Sequence, residues 1–400
     1  MRIGIVVDNE FNNDIRVRNE AMALLNAGHD IYILCFDFGS KLGDNYKGIN
    51  ITRWNIKPKY KNILFAFFHT INLYSFLWSL KIKRFVKNNK IEIIHVHDLY
   101  MSKAGYLAKK EYNIPLVLDL HENYPYAVDD YQWMHKFPQS IFIRAHKWKK
   151  IEGKYLRYAD KIVALSETFR NNLLQKYTFL NKENIIVYPN APVVNTLLSY
   201  PIDNNIIKKD SDFVLFYFGG ISKRRGVYIA IEAIKQLKEK IPNIKLLLIG
   251  PVDKAEQRYF QHKIEDKQVI DHIIYYPWKD ISLLPSYITY SDICLSPIEK
   301  NPQHESGIAN KVFQYMLFKR AVLVSDCGPQ AEVIKQSECG LVHQWNSVED
   351  FSNKVYWLYS HPEERQNLGE NGYKAVIKKY NQKKLIKPLI DFYNQLNTSK

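Results

Sequence analysis

Short apolar runs alternate with amphipathic segments along the first half of the chain. Apolar runs of strand length occupy residues 3–7, 30–35, 91–97, 116–120 and 161–165. Helical patterns lie between these runs, for example over residues 17–27 and 102–112. Continuous apolar runs are typical of strands buried on both faces, and their alternation with helices predicts a parallel sheet. The first half is therefore predicted to be a doubly wound α/β domain.

The same alternation starts again after a polar stretch that extends to Asp210. Strand candidates follow at residues 213–219, 245–249, 273–276, 293–295 and 321–324, and helix candidates at 227–240, 310–318, 347–360 and 362–379. We predict two Rossmann-like domains, over residues 1–195 and 196–375, and a final helix within 376–400 that packs back on the first. Ligands of such sheets bind at the carboxyl ends of the strands, so two facing domains would enclose one cleft.

The composition is that of a folded globular protein, with 46% hydrophobic and 24% charged residues. The four cysteines, at positions 35, 294, 327 and 339, form no CxxC pair, which predicts reduced thiols and no structural zinc site. Because the sequence opens directly on a strand, we expect no secretion signal and a cytoplasmic location. The formal net charge of +15 predicts an anionic partner. Nucleic acid is disfavoured, since the chain lacks interleaved aromatic and basic residues that would stack bases.

Eight motifs follow one another across the two predicted domains. They are IHVHD at 94–98, DLHE at 119–122, ADKIVALS at 159–166, VYPN at 187–190, FGGISKRRG at 218–226, SDICLSP at 291–297, NKVFQYM at 310–316 and VSDCGPQAE at 324–332. In this order they resemble the glycosyltransferases of family 4, whose fold is GT-B. The resemblance implies a retaining, metal-independent enzyme without a cofactor. Such an enzyme would move a sugar from a nucleotide-sugar donor to a glycan or lipid-linked acceptor, in bacterial surface polysaccharide synthesis.

The loop GGISKRRG is suited to the diphosphate of the donor, whose departure builds negative charge. Without a metal, the protein must supply fixed cations, backbone N–H donors and a helix N-terminus. The resemblance places Arg225 where the family has a lysine on the diphosphate, and Gly220 where the family has an arginine. Backbone donors at Gly219 and Gly220 are expected to take part, and Lys223 or Arg224 would replace the missing arginine. The alternative is that these cations are merely solvated.

The segment HESGIANKVFQ resembles the paired-glutamate segment of the family, in which one glutamate lies beside the transferred sugar and the other binds the ribose hydroxyls. Gln314 takes the ribose position, and its amide oxygen can still accept a hydrogen bond. Ser306 takes the sugar position, with Glu305 one residue away. Either of the two is predicted to face the sugar, and Gly307 would let the backbone shift for Glu305.

Two further residues stand at the predicted start of the helix in that segment. Lys311 is expected to reach a phosphate of the donor. Asn310 either binds the donor or caps the helix.

Polar residues at the ends of the N-terminal strands are candidates for the sugar and acceptor side. The resemblance implies that His121 contacts the donor sugar or the acceptor; the alternative is a structural histidine. His95 and His97 share one face of a strand, and we expect His97, together with Asp98, to shape the cleft wall rather than to bind a metal. Asp14 and Arg16 lie in a loop that resembles a subset of the family, where Arg16 would contact a phosphate or pair with a local carboxylate.

Residues 63–80 carry no charge and precede a cluster of lysines and arginines. The segment has an apolar stripe and a polar stripe, formed respectively by Leu64, Phe67, Phe68, Ile71 and Trp78, and by His69, Asn72, Ser75 and Ser79. The polar residues argue against a spanning helix and leave two readings, an interfacial helix on an anionic membrane or a core helix. With a second aromatic and basic region at 133–158, we expect peripheral membrane contact.

Two other classes of protein fit part of the pattern. A nucleotide-sugar epimerase also uses two facing Rossmann-like domains, but it would convert the donor without an acceptor. A non-catalytic nucleotide-sugar binder, which Gly220 and Gln314 make an alternative, would release no nucleoside diphosphate.

Overall fold

The fold is taken from a computed structural model that describes residues 1–39, 43–71, 73–130, 145–203, 206 and 212–398. The chain divides into two compact units, which are Met1–Pro189 with Ile386–Lys400, and Asn190–Leu385. Each unit is a parallel α/β sheet covered by helices, which confirms the predicted fold class. The apolar runs named above form strands, and the amphipathic segments named above form helices.

The strands of the first sheet are β1 (Arg2–Val6), β2 (Asp30–Asp37), β3 (Asn45–Tyr46), β4 (Ile49–Asn55), β5 (Ile93–His97), β6 (Leu116–Asp119), β7 (Lys161–Ala164) and β8 (Ile185–Val187). Their order is β3-β4-β2-β1-β5-β6-β7-β8, and all pairs are parallel except β3 with β4. Strands β1, β5 and β6 lie in the middle of this sheet. Their residues are almost all buried, as expected for strands with a helix layer on each face.

The strands of the second sheet are β9 (Phe213–Phe218), β10 (Ile244–Ile249), β11 (Ile273–Tyr276), β12 (Ile293–Ser296), β13 (Ala321–Ser325) and β14 (Gly340–His343). Their order is β11-β10-β9-β12-β13-β14, and every pair is parallel. The chain order reverses between β9 and β12, where ligands of doubly wound sheets bind.

The described helices are α1 (Ile15–Asn26), α2 (Pro58–Ile71), α3 (Leu73–Asn89), α4 (Ser102–Tyr112), α5 (Tyr124–Asp130), α6 (Ala145–Leu156), α7 (Glu167–Lys176), α8 (Val194–Leu198), α9 (Val227–Leu237), α10 (Gln257–Ile264), α11 (Leu284–Tyr290), α12 (Asn310–Leu317), α13 (Gly328–Ser337), α14 (Val348–Ser360), α15 (Pro362–Lys378), α16 (Gln382–Leu385) and α17 (Lys387–Thr398). None of these described helices is both long enough and apolar enough to cross a bilayer.

The unit boundaries differ from the predicted ones at two places. The first unit ends at Pro189 rather than at residue 195, and the chain rejoins it at Ile386 rather than at 376. Helix α15 stays with the second unit because Gly372 packs against Met316 of α12 and Val376 is fully buried there. Helix α17 belongs to the first unit, where the hydroxyl of Tyr393 is hydrogen-bonded to Nδ1 of His95 at 2.9 Å.

Helix α3 contributes a core face rather than the interfacial stripe expected for it. Trp78 is fully buried and packs edge-on against Phe36 and Trp54, at ring-centroid distances of 4.9 and 5.1 Å. Ser75 and Ser79 of the polar stripe are buried beside it, so the expectation that Trp78 faces a membrane is wrong. The side chains of Phe67, Phe68, His69, Ile71 and Asn72, and residues 133–144 of the second aromatic region, lie outside the described residues.

Trp78→Ala is expected to lower the free energy of unfolding by about 3–5 kcal/mol, because it removes a buried aromatic side chain and leaves a cavity. Phe76→Ala is the matched control on the same helix, since Phe76 is 55% exposed, and should change that free energy by no more than about 0.5 kcal/mol. Denaturant unfolding of both variants measures the difference. Equal losses would contradict the assignment of Trp78 to the core.

Candidate active-site residues in the two units

The centre of the polar cluster in the first unit is Asp119, which ends strand β6 and is fully buried. Arg16 from α1 binds it with two donors, Nε to Oδ2 and Nη2 to Oδ1, each at 3.0 Å. A third donor of the same guanidinium reaches the carbonyl of Tyr188 at 3.0 Å. Burial by itself raises the pKa of Asp119, but the charge and hydrogen bonds of Arg16 outweigh it and hold that pKa below its ordinary value.

Arg16 and Asp14 therefore have structural roles that differ from the acceptor-side roles expected for them. The Arg16 side chain is only 8% exposed. Its guanidinium pairs with Asp119, 103 residues away in sequence, rather than with a phosphate or a local carboxylate. Asp14 is the N-cap of α1, where its carboxylate accepts a hydrogen bond from the backbone N–H of Val17 at 3.0 Å. Together they fix the start of α1 against the sheet.

Glu20 lies one turn further along α1 and is also fully buried. Burial, followed by the charge of Asp119, raises the pKa of Glu20 well above its ordinary value. Donor atoms of Glu20, His95, His97 and Asp119 all lie within 4.8 Å of one another. Their types would suit a metal ion, but Arg16 already occupies both oxygens of Asp119. The expectation that the enzyme uses no metal stays a prediction.

His121 is partly exposed, with 19% of its side chain accessible to solvent. Its Nε2 lies 2.7 Å from Nδ1 of His97. Burial is the main cause that lowers the pKa of His121 to about 4 and that of His97 well below its usual range, so both rings are neutral at pH 7. His97 is itself fully buried behind His121; the expectation that it lines a ligand cleft is wrong.

Two carboxylates lie at the same edge of the sheet: Asp98, which was expected beside His97 in the cleft wall, and Asp8, which was not a candidate from sequence. Asp8, just beyond β1, accepts hydrogen bonds from the hydroxyls of Tyr74 at 2.6 Å and Tyr100 at 2.8 Å. Asp98, just beyond β5, has φ of 71°, which is a strained backbone for this residue type. Burial, then Asp8 and Glu122, raises the pKa of Asp98 well above its usual value. The rule that identified His121, a polar residue directly after a buried strand, would also have found Asp8.

In the second unit, the predicted diphosphate loop joins the end of β9 to the start of α9. A short turn of 3-10 helix, Lys223–Arg225, carries its three cations. Gly226 follows with φ of 72°, and a Cβ there would lie 1.6 Å from the carbonyl oxygen of Pro297. Only glycine permits this close approach. No side chain caps the first turn of α9, because its N-cap is Gly226 itself.

Lys311 and Arg225 bring two positive charges together beyond the end of β9. The Lys311 ammonium lies 3.7 Å from the ring centroid of Tyr217, and a Cβ on Gly219 would be 3.1 Å from its Nζ. Burial, followed by the charge of Arg225, lowers the pKa of Lys311 well below its usual range. Within the described part of the chain, no carboxylate pairs with this ammonium. An anion bound here would stabilise the charged form of Lys311, which burial and the charge of Arg225 both disfavour.

The other residues of the predicted diphosphate loop differ in their exposure and in their hydrogen bonds. Lys223 is exposed, and Arg224 is half-buried with its carbonyl accepting a hydrogen bond from the N–H of Glu299 at 3.0 Å. A Cβ on Gly220, where the resemblance puts an arginine, would have no described atom within 4 Å. The carbonyl of Gly220 accepts a hydrogen bond from the hydroxyl of Tyr217 at 2.7 Å.

Glu305 and Ser306, the alternatives for the sugar side, have distinct surroundings. Oε1 of Glu305 accepts a hydrogen bond from the N–H of Gly328, at the N-terminus of α13, at 3.0 Å. Ser306 is buried, and its hydroxyl donates to the carbonyl of Gln303 at 2.5 Å. The Glu305 carboxylate is therefore the partly exposed group of the pair, while Gly307 beside it has an extended backbone.

Helix α12 presents the remaining predicted residues. Its N-cap is Ala309, so Asn310 is the first helical residue and is exposed; the alternative in which Asn310 caps the helix is wrong. Gln314 lies one turn later and is half-buried, with no hydrogen bond from its amide to other described residues. His304 was missed from sequence: its Nδ1 is 2.6 Å from the carbonyl of Glu299, and burial lowers its pKa to about 4.

A cavity of about 500 Å³ opens beyond the ends of β10 and β11. Its lining is mainly apolar and includes Val252, Phe260, Tyr275 and Pro277. It borders the diphosphate loop because Ile221 pairs with Val252 in an isolated bridge. Its position and size suit a planar ring system attached to a diphosphate.

Sequence and structure comparisons place this architecture among sugar transferases. The Glycosyltransferase Family 4 model matches residues 15–191, and the Glycosyl transferases group 1 model matches residues 201–375. The first covers most of one unit and the second most of the other. The chain therefore belongs to the glycosyltransferases of this superfamily, with the GT-B fold.

Individual relatives are distant. The capsular polysaccharide biosynthesis glycosyltransferase CapM of Staphylococcus aureus is 22% identical over 253 residues, 59% of this chain and 62% of that protein. The chain thus spans less than two thirds of that relative. Sucrose-phosphate synthase from Thermosynechococcus elongatus has a TM-score of 0.76 at 16% identity, covering all of both chains. Anabaena HepE in complex with UDP has a TM-score of 0.73 at 14% identity, over 99% of this chain and all of that one.

Arg16→Leu is expected to lower the free energy of unfolding by about 3–5 kcal/mol, because it leaves the buried charge of Asp119 without a partner. Lys83→Ala is the control: its partner Glu111 is 46% exposed, and such surface pairs contribute about 0–1 kcal/mol. In the double variant Arg16→Leu, Asp119→Asn, much of the lost stability should return. No recovery in that variant would contradict the assigned pairing.

Gly226→Ala is expected to lower the free energy of unfolding by about 1–3 kcal/mol or more, because a methyl group overlaps the Pro297 carbonyl at an unfavourable φ. Gly220→Ala in the same loop meets open space and should change it by about 0.5 kcal/mol at most. Thermal unfolding compares the two. Equal tolerance would mean that the loop does not pass as close to Pro297 as described.

Proposed function

We propose that the chain is a retaining, metal-independent hexosyltransferase that takes a sugar from a nucleotide-sugar donor and transfers it to a glycan or lipid-linked acceptor in bacterial surface polysaccharide synthesis. Two comparisons support the direction of this proposal. One relative acts in capsular polysaccharide biosynthesis, and a fold neighbour binds UDP and UDP-glucose.

The observation that carries the proposal is the pair of cations beyond β9. The Arg225 charge and the Lys311 ammonium lie close enough for Arg225 to depress the pKa of Lys311. The Lys311 ammonium faces a glycine rather than a carboxylate. Fixed cations at a buried site stabilise the charge that develops on a leaving diphosphate without having to reorganise. These two cations support the proposal that the diphosphate is bound without a metal.

The remaining predicted residues would place the rest of the donor. The base would enter the cavity beyond β10 and β11, and the amide oxygen of Gln314 would accept a hydrogen bond from the ribose. Glu305, anchored at the N-terminus of α13, would accept hydrogen bonds from sugar hydroxyls. His121 would contact the donor sugar or the acceptor. Lys223 and Arg224 would add to the field that attracts the anionic donor, and Asn310 would bind the donor through its amide.

We propose front-face displacement as the reaction that gives retention. The bond between the anomeric carbon and the diphosphate oxygen breaks, and the acceptor oxygen attacks from the same face. The departing diphosphate oxygen accepts the proton of the acceptor hydroxyl, so the protein needs no separate base. Arg225, Lys311 and the N-terminus of α9 stabilise the leaving group.

A cytoplasmic location with peripheral membrane contact is part of the proposal. Phe76 and Leu80 are 55% and 49% exposed on one face of α3. Arg84 and Lys87 are exposed further along the same helix. Apolar side chains flanked by cations suit an anionic lipid surface, where a lipid-linked acceptor would be found.

Nucleoside diphosphate release from a panel of nucleotide sugars with membrane extract, in excess chelator, tests the enzyme class. Release should require the extract, since an epimerase or a non-catalytic binder would release none. Arg225→Ala should lower the rate about 10²–10³-fold at unchanged fold, because one fixed donor to the leaving group is lost. Arg225→Lys should keep much of the rate, and Lys245→Ala, at the surface of the same unit, should keep all of it. Metal-dependent release, or wild-type rates in Arg225→Ala, would contradict the mechanism.

A further inference from the structure

The two histidines at the ends of β5 and β6 share a single hydrogen bond. Nδ1 of His97 and Nε2 of His121 are 2.7 Å apart, and both rings are neutral at pH 7 for the reasons given above. A hydrogen bond between two neutral rings needs one N–H and one lone pair. The proton between them therefore belongs either to His97 or to His121, and that choice fixes the tautomers of both.

The surroundings of His97 decide between these two states. Its other nitrogen, Nε2, is buried and has no hydrogen-bond partner in the described part of the chain. If the proton of His97 were on Nε2, a buried N–H would be left without an acceptor, which is a costly arrangement. With the proton on Nδ1, the N–H donates to His121 instead. Oδ2 of Asp119, 3.6 Å from Nδ1 of His97 and 3.8 Å from Nε2 of His121, attracts a proton slightly more strongly to His97.

The tautomer of His121 follows directly. Because Nε2 of His121 accepts the hydrogen bond from His97, the proton of the neutral His121 ring must be on Nδ1. Nδ1 has no hydrogen-bond partner among the described residues, and the His121 side chain is 19% exposed. The exposed nitrogen of His121 is thus an N–H donor and not a lone pair.

We propose that His97 is a positioning residue, which holds His121 as the Nδ1–H tautomer so that it donates a hydrogen bond to an oxygen of the bound sugar. That the ligand is a sugar rests on the proposed function, whereas the tautomer does not. An isolated neutral imidazole would exchange between both tautomers, and only one of them can donate from Nδ1. His97 removes the competing form before the ligand binds, which lowers the cost of forming the contact.

The buried network behind His97 explains how the ring keeps its orientation. His95 stacks on it at a centroid distance of 4.7 Å with an interplanar angle of 12°. Asp119, held by Arg16, fills the space on the side of the shared proton. His95 itself is fixed by the Tyr393 hydroxyl and lies 3.3 Å from Glu20. The ring of His97 is therefore confined, and among the described residues its hydrogen bond toward the surface is to His121.

Ring ¹⁵N NMR of the full-length protein at pH 7 tests the tautomer without any substrate. In the wild type, Nδ1 of His121 should give the resonance of a protonated nitrogen and Nε2 that of an unprotonated one, with His121→Asn identifying the signals. His97→Asn keeps an N–H in the place of Nδ1 and should preserve this pattern. His97→Leu removes the donor, and His121 should then move toward the Nε2–H form. An unprotonated Nδ1 in the wild type would overturn the proposal.

Kinetics of the same variants test what the tautomer does. His97→Leu should lower kcat/KM for the donor about 10-fold, as expected for the loss of one well-placed hydrogen bond, and His97→Asn should stay within about 3-fold of the wild type. His95→Leu is the matched control, since His95 is equally buried and stacked but contacts Tyr393 rather than His121. Because leucine keeps an apolar side chain packed against the His97 ring, His95→Leu should leave the His121 tautomer unchanged and kcat/KM within about 3-fold of the wild type.

The outcomes separate this proposal from the function on which it rests. If His95→Leu shifts the His121 tautomer as much as His97→Leu does, His97 has only a structural role and the proposal fails. If the NMR pattern is as expected but His121→Ala retains wild-type turnover, the sugar contact fails and the assigned tautomer stands. If no nucleotide sugar is turned over by the wild type, the proposed function fails while the NMR result still decides the tautomer.

Discussion

The buried carboxylate of Asp119 is the constraint from which the polar centre of the first unit follows. A charge at the end of a central strand, fully removed from water, must be compensated at short range. Arg16 does this with two parallel hydrogen bonds. Burial shifts the pKa of each nearby group toward its uncharged form, upward for Glu20 and downward for His97 and His121. The ion pair itself fixes the start of α1 and lies beside the two rings that lead to the surface.

Beyond the end of strand β9, the second unit carries positive charge instead of a buried carboxylate. There, Lys311 and Arg225 concentrate positive charge while the nearest strand-end residue, Gly219, offers only backbone. Such an arrangement costs free energy in the unliganded protein, and a polyanion returns it on binding. In the first unit, the charge of a buried carboxylate is compensated within the protein. In the second unit, the positive charge can be compensated by a bound anion. This difference fits a division in which the second unit holds the anionic part of the donor.

Sequence patterns predicted the elements whose burial is simple and missed those whose burial is mixed. Strands β1, β5 and β6 read as apolar runs because both faces are covered, whereas β4 alternates buried and exposed residues near the sheet edge and was not predicted. The same limit applies to the site. His121 could be located from its strand end, but the partner of Arg16 is 103 residues away, and no local pattern contains that distance. Glu305 and Ser306 are adjacent in the sequence, and only the fold distinguishes the buried hydroxyl from the partly exposed carboxylate.

The most direct test of the central claim, that two cations at the end of β9 hold the donor diphosphate, is a crystal structure with a nucleoside diphosphate such as UDP, GDP or ADP in metal-free buffer. We expect the diphosphate oxygens to lie within hydrogen-bond distance of Nζ of Lys311 and of the guanidinium of Arg225, beside the backbone of Gly219. A diphosphate held through a metal ion, or a nucleotide that contacts neither cation, would contradict it.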